Sequence, residues 1–178
     1  MVNDRTRRVL AIIGSVIFLL IAPVTVVGWI PWWISRWRIQ QDFGDFTILR
    51  VVGLVLVLAG VPVLLDSFAR FAIQGLGTPA PVFPTRHLVV QGLYRYVRNP
   101  MYVALVMVVT GQALFLGSLR LLEYGALVWL CTHLFVMLYE EPTLRGTFGD
   151  EYKTFCAHVP RWIPRLRPWD DSARTGCR

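Results

Sequence analysis

Apolar residues gather into four stretches along the chain, each near the ~20 residues a helix needs to cross a ~30 Å hydrocarbon layer. The first, residues 9–33, runs 25 residues without a charge after the basic cluster Arg5, Arg7 and Arg8. That flank and length also suit a signal peptide, but no small-residue cleavage site follows, and Pro31, Trp32 and Trp33 close the stretch as an interfacial aromatic belt does. It is therefore read as a retained span. The second, apolar over residues 51–65, continues as helix over 48–73 and places Asp66 and Arg70 one turn apart on one face, as an ion pair. Residues 102–117 and 124–139 are uncharged, with Ser118, Arg120 and Glu123 between them. They predict a tight helical hairpin, with spans over about 100–117 and 121–139.

The expected fold is a single all-α integral membrane domain of about four transmembrane helices. Its 55% hydrophobic content and mean hydropathy of +0.53 agree, since both exceed what a soluble domain shows. A net charge of +7 suggests nucleic acid until the basic residues are placed. Fourteen of the 18 Lys and Arg residues then fall on one side of a four-span arrangement and four (Arg36, Arg38, Arg50, Arg120) on the other. By the positive-inside rule both termini and the 75–99 connection are cytoplasmic, as in a multi-pass protein of a bacterial inner membrane, and no nucleic-acid partner is expected. Cys131, Cys156 and Cys177 form no disulfide framework. His87, His133 and His158 have no zinc-like spacing to them, so no metal is expected.

Two segments exceed what an anchor needs. In the 75–99 connection Gly75, Gly77, Pro79, Pro81 and Pro84 preclude regular helix, and Tyr94, Arg95, Tyr96 and Arg98 then interleave aromatics with arginines. Asn99 followed by Pro100 marks a helix start, whose exposed amides, reinforced by Arg98, can hold a carboxylate or phosphate. After the fourth span, Glu140, Glu141 and Pro142 open the 140–178 tail. There Phe148, Tyr152 and Phe155 predict one amphipathic helix that Pro160 ends, and Trp162, Ile163 and Trp169 among arginines suit a membrane interface. Charged residues this close to a span favour function, whereas His133 within the fourth span is more often hydrogen-bonded in the bundle than catalytic.

The blocks GLYRYVRNPMY and EEPTLRGTFGDEYKTFCAHVPRWIP, about forty residues apart, resemble those of the isoprenylcysteine carboxyl methyltransferase family and its phospholipid methyltransferase relatives, over roughly residues 75–165. The resemblance implies a membrane enzyme that takes S-adenosyl-L-methionine from the cytosol and a lipophilic acceptor from the bilayer: an isoprenylcysteine-like carboxylate, a phospholipid amine or a small lipophilic thiol. It implies a cofactor pocket formed by the connection between the second and third helices and the C-terminal tail. Carried over residue by residue, cofactor contacts fall on Arg86, His87, Leu88, Val89, Tyr94, Asn99, Pro100, Met101 and Tyr102. Glu140 and Glu141, with Arg98, take the catalytic positions. A zwitterionic cofactor calls for both signs, and in-line methyl transfer asks for positioning more than for acid or base strength.

Two positions depart from the pattern. Asn99 stands where most relatives have histidine, and Val136 and Met137 stand where prenylcysteine enzymes have an arginine, which weakens the case for a prenylcysteine carboxylate. The competing readings are an NADPH-dependent membrane reductase of sterol-reductase type, which shares C-terminal features with this family, and a non-enzymatic membrane scaffold.

Overall fold

The computed structural model describes residues 21–40, 42–44, 46–74, 88 and 90–170. Among these every regular element is helical. α1 spans Ile21–Ser35, α2 Thr47–Gln74, α3 Pro100–Leu116 and α4 Leu119–Phe135. A π-helical turn at Val136–Glu140 carries α4 into α5, Glu141–Phe148, and α6 follows over Asp150–His158. Two continuous helices, Thr47–Arg70 and Leu119–Phe148, are long and apolar enough to cross a membrane, while Ile21–Ser35 and Pro100–Leu116 are shorter apolar helices. Large side chains such as Ile48, Leu58 and Leu138 stand exposed on the two long helices. Such faces suit hydrocarbon better than water. The 9–20 part of the expected first span and most of the 75–99 connection lie outside the described residues.

The helices are joined by features local to the sequence. α2 and α3 meet at a glycine pair: a Cβ on Gly53 would lie 2.5 Å from the Gly111 carbonyl oxygen, and one on Gly111 2.6 Å from the Gly53 carbonyl oxygen. Lipid offers no hydrophobic drive between helices, so small residues that let backbones close in replace it. The hairpin between α3 and α4 turns at Gly117, whose φ of 68° needs no Cβ. Asp42 caps the returning helix, its Oδ2 accepting from the Leu119 amide at 2.9 Å.

α1 is held through its own irregularity. Pro31 has no N–H, and the π turn at Thr25–Trp29 shifts the pairing just before it, which frees carbonyls that a regular helix would use. Gln112 Nε2 of α3 donates to the Val27 oxygen at 2.7 Å, and the Tyr124 hydroxyl of α4 donates to the Val26 oxygen at 3.0 Å. A proline-induced defect thus becomes the joint that fixes α1 to two neighbours.

One expectation for the C-terminal region needs correction. Pro142 sits in the first turn of α5, where a missing amide costs little, so the helical path continues through it. The stripe of Phe148, Tyr152 and Phe155 is not on one helix, since the chain breaks at Gly149 with φ 53°. Those three side chains still share one apolar cluster with Leu88, Leu144 and Val159, because the break redirects α6 without removing it from the same surface.

Candidate active site

The two adjacent glutamates go to opposite tasks. Neighbouring residues on a helix point about 100° apart, and the π turn ending at Glu140 adds to that divergence. Glu141, 5% exposed, faces the tail. Its Oε1 accepts from Arg98 Nη1 at 3.0 Å and Arg161 Nε at 2.7 Å, its Oε2 from Arg161 Nη2 at 3.0 Å, and Arg145 lies 3.7 Å away. This bond to Glu141 raises the Arg161 guanidinium above its usual range, against the opposing effect of burial.

Arg98 Nη1 also donates to Cys156 Sγ at 2.9 Å, while its Nε is buried with no partner among the described residues. The expectation that Arg98 serves a free anion site is therefore altered: part of its charge is spent on Glu141. One carboxylate against three guanidiniums leaves the cluster positive.

Asn99 also behaves differently from the sequence reading. It occupies the N-cap position of α3 but makes no side-chain cap bond, because its φ of −122° and ψ of 57° aim the amide elsewhere. Its Nδ2 donates to the Arg161 carbonyl at 3.2 Å. Together with the backbone bonds Arg98 N to Pro160 O, Arg165 N to Tyr96 O and Trp169 N to Arg95 O, all at 2.9 Å, it straps the tail across the start of α3.

Glu140 turns toward aromatic neighbours instead. The Tyr102 hydroxyl lies beside its carboxylate, and Tyr94 is within electrostatic reach. Its Oε2 is buried and has no hydrogen-bond partner among the described residues. Burial pushes the Tyr94 phenol, in the 3-10 turn Gly92–Arg95, well above its ordinary range; its hydroxyl lies against Ser67 of α2. Gly92 opens that turn at φ 57°, with the Arg70 guanidinium packed where a Cβ would go. Arg70 Nε in turn pairs with Asp66 Oδ2 at 2.7 Å, the structural pair read from the sequence.

Tyr102 joins this polar end to an apolar cavity. The cavity, of about 300 Å3, lies among α1 to α4 and is lined by Val26, Phe68, Met101, Tyr102, Leu105 and Val128 among others, with Tyr124, Cys131 and Thr132 also in its wall. It has an apolar body with a few polar groups, as small-molecule sites commonly do.

The remaining sequence candidates are placed as follows. Pro100 and Met101 are buried at the start of α3, and Met101 lines the cavity. Leu88 packs against the α6 cluster, away from Glu140's aromatic neighbours. Arg86, His87 and Val89 lie outside the described residues. His133 is engaged by Trp162, whose Nε1 donates to its Nδ1 at 3.1 Å. Arg161 and Cys156 were not among the candidates. Arg161 reads in sequence as one more basic residue of the tail, and nothing local to it signals a carboxylate twenty residues earlier.

A family model described as phospholipid methyltransferase matches residues 48–151, which run from the start of α2 through Glu140 and Glu141 into α6. The chain belongs to the phospholipid methyltransferase family. No curated protein matches the chain. Membership of this family, with two helices fit to span a bilayer, makes it a membrane-associated methyltransferase. The family match contains Tyr102, Glu140, Glu141 and Arg98, whereas Arg161 and Cys156 of the Glu141 cluster lie beyond it.

Proposed function

We propose that the protein transfers a methyl group from S-adenosyl-L-methionine to a lipophilic acceptor that reaches the cavity among α1 to α4 from the bilayer. The observation that carries this reading is the buried Oε2 of Glu140, without a hydrogen-bond partner among the described residues and beside Tyr102, which lines a largely apolar cavity. A buried carboxylate oxygen left unsatisfied is costly, and a cationic or hydrogen-bond-donating ligand relieves that cost.

The residues fit the proposed donor. It is a zwitterion with a sulfonium, and the site offers an orphaned anionic oxygen at Glu140 and an orphaned cationic nitrogen at Arg98 Nε. When bound, the donor supplies an electrophilic methyl group. Glu140 and Tyr102 would face its positive portion, with Tyr94 supporting through its buried ring. Arg98 and the first amides of α3 would face its carboxylate. Glu141 then acts as a positioning residue, because it fixes Arg98 and fastens the tail over the start of α3. The cavity orients the acceptor and excludes water, which is the larger part of what a displacement at carbon needs.

In this reading α1 to α4 cross the bilayer as four spans, the shorter helices accommodated by local thinning, with both termini and the tail on the cytoplasmic side. The acceptor class is a lipophile carrying an amine, thiol or carboxylate.

The test is thermal unfolding of purified protein with S-adenosyl-L-methionine or S-adenosylhomocysteine, and with NADPH in parallel. The expected result is a midpoint raised by S-adenosyl-L-methionine and by its demethylated product, and not by NADPH. A midpoint raised by NADPH alone would overturn the proposal in favour of a reductase. Incubation with labelled donor and a total membrane extract should then label a lipid-extractable product.

A further inference from the structure

On the α2 side of α3 lies a second apolar groove, of about 250 Å3, lined by Val63, Tyr96, Val103, Met107 and Pro164 among others. It shares no lining residue with the cavity beside Glu140. The groove is elongated along the helix: Met107 is two turns into α3, ~10 Å from Pro100, and the other end is closed by Pro164 of the tail. A hydrocarbon chain lying in it has its head at the tail.

The tail at that end is built unlike a water-facing strap. Leu166 is 100% exposed and Ile163 78% exposed, and they alternate with Arg165 and Arg167. Neither arginine pairs with a carboxylate among the described residues. Arg165 Nη1 donates to the His158 carbonyl, which brings no counter-charge, and the nearest described acid along the chain, Asp170, is taken by Arg95. The segment is not loose, since Arg165 N is bonded to the Tyr96 oxygen on the groove wall. Exposed apolar side chains, arginines without a carboxylate partner among the described residues and an apolar groove therefore converge at one end of α3.

We propose that this surface binds an anionic glycerophospholipid of the surrounding leaflet, with one acyl chain in the groove and its phosphate at Arg165 and Arg167. The charge balance selects the anionic class, because a zwitterionic headgroup brings an ammonium that these arginines disfavour. A cytoplasmic leaflet is the anionic one, in keeping with the tail's proposed side. The lipid is a partner rather than the methyl acceptor, as its groove shares no lining residue with the cavity that Tyr102 lines. It also couples to the catalytic end: the same strap carries Arg161, which holds Glu141, so lipid on the strap steadies that clasp. The inference rests on the membrane reading but not on the identity of the methyl donor.

Native mass spectrometry of the full chain, released from nanodiscs of phosphatidylcholine alone or with phosphatidylglycerol added, tests it. Wild-type protein should retain phosphatidylglycerol in preference to phosphatidylcholine. Arg165→Gln with Arg167→Gln should lose that preference, each arginine being worth about fivefold in retention. Ile163→Ser with Leu166→Ser, at exposed positions where folding is not at stake, should lower retention although the charges remain. Soluble glycerol phosphate should not displace the lipid. Equal retention of both lipids by wild type, an unchanged preference in the arginine variant, or displacement by glycerol phosphate would each overturn it. S-adenosylhomocysteine binding measured on the same sample separates failure of this inference from failure of the methyltransferase reading.

Discussion

Arg161 closes on Glu141 across twenty residues of chain, with Nε 2.7 Å from Oε1 and Nη2 3.0 Å from Oε2. This two-point bond joins the end of the long α4–α5 helix to the tail, and through Arg98 it reaches the start of α3. Buried ion pairs contribute modestly when intact but cost heavily when one partner is lost, because the remaining charge stays out of water. That asymmetry separates the roles of the two glutamates.

Glu141→Gln should destabilise the protein by about 3–5 kcal/mol, since Arg98 and Arg161 are left without their carboxylate. Glu140→Gln should leave the unfolding midpoint near the wild-type value. Denaturant or thermal unfolding in the same detergent compares them, and a Glu141→Gln protein as stable as wild type would show that the tail is held by something else.

Glu140→Gln and Tyr102→Phe should each weaken S-adenosylhomocysteine binding by roughly ten- to hundredfold, the equivalent of one charge-assisted hydrogen bond at about 1.5–3 kcal/mol. Because the two side chains form one unit, the double variant should lose less than the sum. Isothermal titration of the three proteins tests both points. Fully additive losses would mean the two groups act separately.

Cys131→Trp should fill part of the cavity whose wall includes Cys131 and Thr132. The acceptor KM should rise while S-adenosylhomocysteine affinity stays unchanged. A loss of cofactor affinity with unaltered acceptor KM would place the acceptor elsewhere.

Gly111→Ala should cost about 1–3 kcal/mol by overpacking, since its new methyl would meet the Gly53 backbone. Gly146→Ala is the matched control. Nothing lies within 4 Å of a Cβ there, and within α5 the change should stabilise by about 0.5–1 kcal/mol. Unfolding midpoints of the pair should therefore move in opposite directions.

Several features were legible in one dimension because their causes are local. Apolar runs placed α2 over Thr47–Gln74 and α3 over Pro100–Leu116 within a residue or so of the expected helices. Asn99 followed by Pro100 marked the start of α3, and the i, i+4 spacing foretold the Asp66–Arg70 pair. The motif blocks around Tyr94–Tyr102 and Glu140–Glu141 carried the family resemblance, and the family match covers both.

What the chain order could not reveal was which partner each polar group takes, because that depends on which surfaces the packed helices bring together. Adjacent Glu140 and Glu141 look interchangeable as letters. Helical rotation and the π turn at Val136–Glu140 send one to Tyr102 and the other to Arg98 and Arg161. Asn99 was read as a cap and instead holds the Arg161 carbonyl, because the tail folds back across it. Hydrophobic periodicity and helix signals act over a few residues and survive in sequence. Charge pairing and cavities act over a few ångströms in space, and here they were set by the close approach of Gly53 to Gly111, the Pro31 joint and the returning tail.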